Sequence, residues 1–288
     1  MTNDSASRDV RTLSVEARRP LHDVRRDNGA PRAMGAEVIR WKAREAAAAA
    51  EMANRAKDEF LATLSHEMRS PLAAIAVWAT LLRTGLPKER AAHAIESIER
   101  SVAILSRFTE ELLDVSRIVS GKLALDVRSV DPAAVVRAAL DTVGASADAK
   151  GIRLETLIEP GGRVAGDPTR LQQVVSNLLT NAVKFSARDG RVLLRVATDG
   201  PHAVISVRDV GEGIAADCLP HVFERYRQAN EAGARVHGGL GLGLAIVHEI
   251  VTLHHGTIEA ESAGAGQGAT FTVRLPFLDG PDALHLDR

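Results

Sequence analysis

The chain of 288 residues has a single cysteine, Cys218, so no internal disulfide can form and a reducing cytoplasm is the expected location. Aromatic residues make up only 3% of it, which leaves Leu, Ile, Val and Ala to build any core. No apolar run approaches the roughly 20 residues that span a bilayer. The N-terminal stretch MTNDSASRDVRTLSVEARRPLHDVRRDNGAPR has no apolar signal core either. Neither charge is in excess: 36 Lys and Arg against 37 Asp and Glu give a formal net charge of -1, with no global pull toward nucleic acid or anionic membrane. What is present is a globular composition, 45% hydrophobic and 25% charged, over a length that suits two domains of ordinary size.

Residues 1–34 mix charges of both signs with few large apolar side chains and read as a disordered tail, its Arg-rich patches solvated. From about Ala36, EVIRWKAREAAAAAEMANRAKDEF contains no Gly or Pro and is rich in strong helix formers. It runs without a break into FLATLSHEMRSPLAAI. With Leu61 at heptad position a, Met68, Ile75 and Leu82 are also a, and Leu64, Pro71 and Trp78 are d, which is a bundle-type seam. Gly85 and Pro87 stop this helix. A second one starts near Lys88, carries Ile95, Ile98, Val102, Leu105, Leu112 and Val119 on its seam, with Thr109 and Ser116 filling two slots less well, and ends at Gly121. Two helices on a tight turn cannot bury such a seam alone, so a homodimer with a four-helix bundle is expected. In this register His66 falls at f, turned away from the seam. Pro71 removes one helical hydrogen bond, to the carbonyl of Glu67.

After Gly121 the texture changes to mixed α and β, over about residues 122–278. KLALDVRSV, GIRLETLIE, GTIEAES and ATFTVRLP alternate as strands do, and RVLLRVATDGPHAVISVRDV reads as two strands joined at Asp-Gly-Pro. DPAAVVRAALDTV and DPTRLQQVVSNLLTNAVKFS each begin with an Asp N-cap and a Pro at the first helical position. LGLAIVHEIVTLHHG is a helix closed by Gly256, with His254 and His255 expected as a favourable charge pair at its C-terminus. Residues 279–288 read as a loose tail.

Three segments of this second domain bear on chemistry. In NLLTNAVKFS, Asn177 and Asn181 share a helix face, with Lys184 one turn beyond; two amides and an ammonium suit Mg²⁺ and phosphate oxygens, or are ordinary surface polarity. In RDVGEGI, Asp209 closes a strand next to Gly211 and Gly213, where a carboxylate can accept from the exocyclic amine of a base, or simply shape a turn. In GGLGLGLAIV, glycines lead into a helix N-terminus, an anion-binding arrangement that is neither a Walker loop nor a dinucleotide fingerprint. HEMRS and HEIVT lack the second histidine of a zinc protease helix, and Cys218 reads as packing.

Together, in this order and behind a helical hairpin with an exposed histidine, these segments resemble the sensor histidine kinases of two-component systems over about residues 56–278. SHEMRSPL resembles the phospho-acceptor motif, NLLTNAVKFS the N box, DVGEGI and GGLGLGLAI the two glycine boxes, VFERYRQ the phenylalanine box and GATFTVRLP the closing strand. The resemblance implies an α+β multidomain chain: tail 1–34, signalling helix or coiled coil 35–57, dimerisation and phosphotransfer hairpin 58–121, α/β sandwich ATP-binding domain 122–278, tail 279–288. It implies that His66 is phosphorylated from ATP, with Glu67 accepting a proton from the imidazole or orienting it, and that the phosphoryl group passes to an aspartate of a response regulator. Pro71 is then a point at which the helix bends between states. Asn181 is implied as the Mg²⁺ ligand, with Asn177 beside it, Lys184 at the phosphates, and Asp209 and Thr270 at the adenine. Gly211, Gly213, Gly239, Gly241 and Gly243 would shape the pocket and lid, Phe223 would anchor the lid, and Arg225 or Arg227 would approach the γ-phosphate. Ser70 and Val210 stand where the family more often has Thr. Ser70 keeps the hydroxyl that would position water for regulator dephosphorylation, at shorter reach. The signal is expected to enter through residues 36–57, through an upstream sensory partner, or through a domain outside this chain. Two other readings remain: an ATPase of the same nucleotide-binding superfamily, against which the hairpin with His66 argues, and an ATP-binding scaffold without catalysis, against which Asn181, Asp209 and the glycines argue.

Overall fold

The computed structural model describes residues 29–226 and 240–278. The expected tails up to residue 28 and from residue 279, together with Arg227 and Gly239, lie outside the described residues. The chain divides into two compact units, Met1–Met52 and Ala53–Arg288. In the first, the described part is the opening of one long helix, α1 (Gly29–Arg83). That helix begins ahead of the expected start near Ala36, and residues 29–34, read from sequence as tail, belong to it. The scarcity of large apolar side chains there masked a content of Ala, Arg and Met that favours helix. No helix among the described residues is long and apolar enough to cross a membrane.

In the second unit α1 continues through Pro71 to Arg83, and α2 (Lys88–Val119) follows a short turn in which Gly85 has φ 87°. Both breakpoints are where glycine and proline required them. The arms meet at Trp78 and His93, whose rings are edge-to-face at 5.4 Å. The heptad seam is only partly covered within one chain. Pro71 is buried and Leu64, Met68, Ile75, Trp78 and Leu82 are half-buried, but Leu61 is 48% exposed and Phe60, one residue earlier, is buried instead. Ile95, Val102 and Val119 of α2 are exposed as well.

The α/β module opens with β1 (Arg128–Val130), shorter than the strand expected over Lys122–Val130. Residues 122–127 are irregular, because only Arg128–Val130 find a partner, in β3 (Val164–Gly166). Then come α3 (Pro132–Lys150), β2 (Arg153–Ile158), β3, α4 (Pro168–Phe185), β4 (Arg191–Asp199), β5 (His202–Asp209), α5 (Gly243–Leu253), β6 (Thr257–Glu261) and β7 (Thr270–Pro276). The main sheet has the order β2-β4-β5-β7-β6, with β2 parallel to β4 and the other pairs antiparallel. One face, bearing Val192, Leu194, Val196, Ala203, Ile205, Val207, Phe271, Val273 and Leu275, is buried with the apolar sides of the helices. Phe60, Phe108, Val115 and Ile118 of the hairpin belong to the same continuous core.

Both Asp-Pro helix starts are present. Asp131 caps α3 by accepting from the Ala133 N–H at 2.9 Å, and Asp167 caps α4 by accepting from Thr169 and Arg170. The second carboxylate oxygen of Asp167 accepts from the Asp126 N–H at 3.1 Å and so ties down the linker from the hairpin.

His254 is not the charged helix-end residue expected. It is 2% exposed, its Nδ1–H donates to the Ile250 carbonyl at 2.7 Å, and its Nε2 accepts from the Asp167 N–H at 2.9 Å. Those two partners admit only the neutral tautomer, and burial pushes its pKa below the usual histidine value, against smaller opposing effects of the Ile250 carbonyl and Asp167. The unfolded chain therefore takes up a proton near pH 6.5 that the folded chain refuses. The stability contributed by His254 is full above that pH and is lost as pH falls from 6.5 toward the lower folded value. Urea unfolding at pH 7.5 and 5.5 is expected to show a smaller pH effect in His254→Leu than in the wild type. The variant should also be weaker by about 1–3 kcal/mol at the higher pH, because the Asp167 N–H loses its partner. Equal pH dependence in the two proteins would refute the assignment.

Candidate nucleotide and phospho-acceptor site

Helix α4 presents an apolar side, with Leu171, Val174, Val175, Leu178, Leu179, Ala182 and Val183 all buried, and a polar stripe of Asn177, Asn181 and Lys184 that is half-buried. The stripe follows from spacings of four and three residues on a helix of period 3.6. Lys150, at the end of α3, donates to the carbonyls of Val183 and Lys184 at 2.8 and 2.7 Å and so closes the C-terminal end of α4. The Lys184 ammonium lies over the Phe185 ring at 4.7 Å. Burial lowers its pKa, and nearby Arg107 adds to the effect, while Glu67, Glu111 and Glu212 oppose it.

Asp209 ends β5 on the helix-facing side of the sheet and is 5% exposed. Its Oδ1 accepts from the Gly211 N–H at 2.9 Å and the Ala269 N–H at 3.3 Å. This fixes the carboxylate and leaves Oδ2 for a donor such as an exocyclic amine. Burial nevertheless pushes its pKa up, with the backbone hydrogen bonds opposing. The loop after Asp209 is fastened to α4 because the Glu212 N–H donates to the Phe185 carbonyl at 3.1 Å. A side chain at Gly211 would overlap that carbonyl, and one at Gly213, where φ is 69°, would overlap the Gly264 carbonyl. Ser186, next after Phe185, has a buried hydroxyl with no hydrogen-bond partner among the described residues. A cavity of about 400 Å³ opens at this end of the sheet, lined in part by Asp209, Leu219, Ser262, Gly268, Ala269 and Thr270.

Thr270 does not share a face with Asp209. It pairs in register with Arg208, and by strand alternation its side chain stands on the opposite side of the sheet; Ala269 is the neighbour of Asp209. The second glycine segment opens α5 at Gly243, where the nearest side-chain atom to an added Cβ is the Asn177 Nδ2, at 4.0 Å, so α4's amide stripe and α5's N-terminus border one space. Gly241 has φ 66°, and its carbonyl accepts from the Tyr226 N–H at 3.1 Å. Phe223 is held between Phe271 and His248, with ring centroids at 6.3 and 5.7 Å. Arg225 pairs with Glu249 at 3.7 Å.

On the hairpin, His66 and Ser70 are exposed and Glu67 is half-buried. Ser65 turns its hydroxyl back to the Leu61 carbonyl at 2.8 Å, so it makes no claim on the His66 ring. Among the described residues no three His, Cys, Asp or Glu side chains form a cage for a metal. An oxygen-seeking Mg²⁺ fits the amide oxygens of the α4 stripe, completed by phosphates and water.

Two family models match: the His Kinase A (phospho-acceptor) domain over residues 56–121, and the histidine kinase-, DNA gyrase B-, and HSP90-like ATPase over residues 166–279. The circadian input-output histidine kinase CikA of Synechococcus elongatus is 41% identical over 238 residues, covering 81% of this chain and 31% of that protein. The chain thus spans about a third of that relative's length. The solved structure of the Acinetobacter baumannii histidine kinase AdeS is 26% identical with TM-score 0.56, over 74% of this chain and 98% of that one. The structure of full-length ShkA in complex with AMPPNP is 32% identical with TM-score 0.56, over 76% and 46% of the respective chains.

Proposed function

This chain belongs to the sensor histidine kinases, with a phospho-acceptor domain followed by an ATP-binding domain, and we propose that it transfers the γ-phosphoryl group of Mg-ATP to His66 and passes it to an aspartate of a separate response regulator. The observation that carries this reading is an exposed His66 on the hairpin, joined in one chain to a module in which Asn177 borders the N-terminus of α5 and Asp209 lines the cavity at the end of the sheet. His66 supplies the nucleophilic ring nitrogen, and Glu67 orients the ring or takes up its proton. Asn181 holds Mg²⁺, which supplies charge neutralisation at the phosphates, and Lys184 binds the phosphates as a point charge. Asp209 binds the base through its free oxygen. Arg225, in the segment after Phe223, is released from Glu249 to reach the phosphates.

The uncovered apolar stripe supports homodimerisation. Leu61, Ile95, Val102 and Val119 stay exposed in the single chain, and a second hairpin is the partner whose seam matches. The ATP requirement and the single cysteine favour a cytoplasmic location.

The test is incubation with radiolabelled ATP and Mg²⁺, followed by acid and alkali treatment, then transfer to purified receiver domains. The expected product is protein-bound phosphate that survives alkali and is lost in acid. ADP release without labelling would leave a plain ATPase, and neither would leave a nucleotide-binding scaffold.

A further inference from the structure

The ATP-binding module is fastened to the hairpin of its own chain at two places. One is a ring contact: Phe60 of α1 and Tyr226 lie with centroids 4.4 Å apart at 45°. The other is ionic and buried. Asp114 of α2 is 4% exposed, in the otherwise apolar stretch Leu112 to Val115. Both its carboxylate oxygens accept from Arg170 Nη1 of α4, at 2.8 and 2.9 Å. Gln173 Nε2 donates to the same carboxylate at 2.7 Å, and its own Oε1 accepts from Arg170 at 2.8 Å. The closed triangle uses groups from both modules. A buried ion pair is seldom more stabilising than an apolar contact of the same volume. What distinguishes it is that its hydrogen bonds, unlike an apolar contact, are kept only while Asp114, Arg170 and Gln173 stay within about 3 Å of one another.

That placement aligns α4 with the hairpin. Gln173, Asn177, Asn181 and Lys184 follow one another at spacings of four, four and three, so the triangle grips one end of the polar stripe. At the other end, the charges acting on Lys184 are those of hairpin residues Arg107, Glu67 and Glu111, together with Glu212 of the glycine loop. Arg107 and Glu111 are themselves paired at 3.6 Å. Glu67 is the residue after His66. The polar stripe of α4 is therefore gripped at its Gln173 end by Asp114 of α2, while Phe60, six residues before His66 on α1, meets Tyr226 of the ATP-binding module.

We propose that Asp114, Arg170 and Gln173 form a docking clamp, a set of positioning residues that seats the ATP-binding module on its own chain's hairpin so that His66 is phosphorylated in cis. The inference rests on the kinase reading above. None of the three residues touches the reacting atoms; they act by fixing where the nucleotide pocket stands.

Two experiments on the full chain test it. In the first, Asp114→Ala, Arg170→Ala and the double variant are compared for affinity toward a fluorescent ATP analogue and for the autophosphorylation rate at saturating ATP. Affinity is expected to stay within about twofold, while the rate falls about ten- to a hundredfold, the cost of a misplaced reacting group. The double variant should be no slower than either single one, because removing one partner already opens the clamp. Rates at the wild-type level, or additive losses accompanied by loss of nucleotide affinity, would overturn the clamp. In the second, His66→Gln chains are mixed with Asn181→Asp chains under conditions that exchange subunits. Transfer in cis leaves both unlabelled. Labelling of the Asn181→Asp chain would show transfer between subunits and sink the cis assignment while leaving the kinase reading intact. Absence of labelling in the wild type would instead remove the kinase reading itself.

Discussion

His66→Gln is expected to abolish acid-labile, alkali-stable labelling while nucleotide affinity and self-association remain at wild-type levels. Glutamine keeps the length and polarity of the side chain but offers no nucleophilic nitrogen. The substitution also disturbs no packing, because His66 is exposed on α1 and the residues that hold the helix in place, Phe60, Leu64 and Met68, lie on another side of it. The other described histidines on or near functional segments have competing engagements. His254 is buried with both ring nitrogens bonded, His221 is 2.7 Å from Glu224, and His248 packs on Phe223. His93 is exposed but stands edge-on to Trp78, at the end of the hairpin nearer the turn. Labelling that persisted in His66→Gln would make His93 the next residue to change, and would undo the functional reading of the α1 motif. The full effect is all-or-none because a missing nucleophile cannot be compensated by geometry.

The parts of this molecule that were legible in sequence are those where one residue type has few alternatives. Asp-Pro starts two helices because the carboxylate caps while the proline's missing N–H is one the helix does not use, and both caps are found at Asp131 and Asp167. Gly85 and Pro87 end and restart the hairpin for equally local reasons. The polar stripe of α4 could be read from period alone. What sequence could not supply was pairing partners. KLALDVRSV alternates along its length, yet only three residues meet another strand, since the Asp167 carboxylate claims the N–H of Asp126 from forty-one positions away. Alternation is a property of one segment, whereas a strand is a property of two. The same holds for His254, whose neutral, buried state depends on the Asp167 N–H, eighty-seven positions away. It also holds for Asp114, which in sequence is one more acid among Glu110 and Glu111. An acid inside the apolar run Leu112, Leu113, Val115 was a signal that a partner was owed, though not which one. Thr270 illustrates a finer limit. The closing-strand motif placed it near the base, but strand parity assigns its side chain to the Arg208 side of the sheet and gives the Asp209 side to Ala269.

Asn181→Asp is expected to reduce phosphoryl transfer to His66 below detection while the chain still binds nucleotide. The two side chains have the same shape, so α4 keeps its packing of Leu178, Leu179, Ala182 and Val183 against the sheet. What changes is the donor set of the stripe: an amide that offers one oxygen and two N–H groups becomes a carboxylate that only accepts. The added negative charge lies three residues from Lys184 on the same helix, and a carboxylate there would draw the ammonium into a pair and away from the phosphates it is proposed to bind. Such an oxygen could still hold a Mg²⁺ ion, but with a different charge beside the phosphates, and transfer would depend on in-line geometry far more than binding does. Asp209→Asn provides the contrast. There the two backbone donors at Gly211 and Ala269 can still be accepted by the amide oxygen, while the amide nitrogen would take the place of Oδ2 and face the amine of the proposed base donor to donor. A missing hydrogen bond to a buried polar group costs about 1–3 kcal/mol, which is roughly a ten- to hundredfold weaker nucleotide affinity. Equilibrium binding of a fluorescent ATP analogue and single-turnover labelling separate the two: Asp209→Asn should lose binding and keep the rate of the bound state, and Asn181→Asp should do the reverse. If Asp209→Asn bound nucleotide as tightly as the wild type, the base would lie elsewhere. If Asn181→Asp transferred phosphate at a measurable fraction of the wild-type rate, the stripe of α4 would not be the metal-holding face.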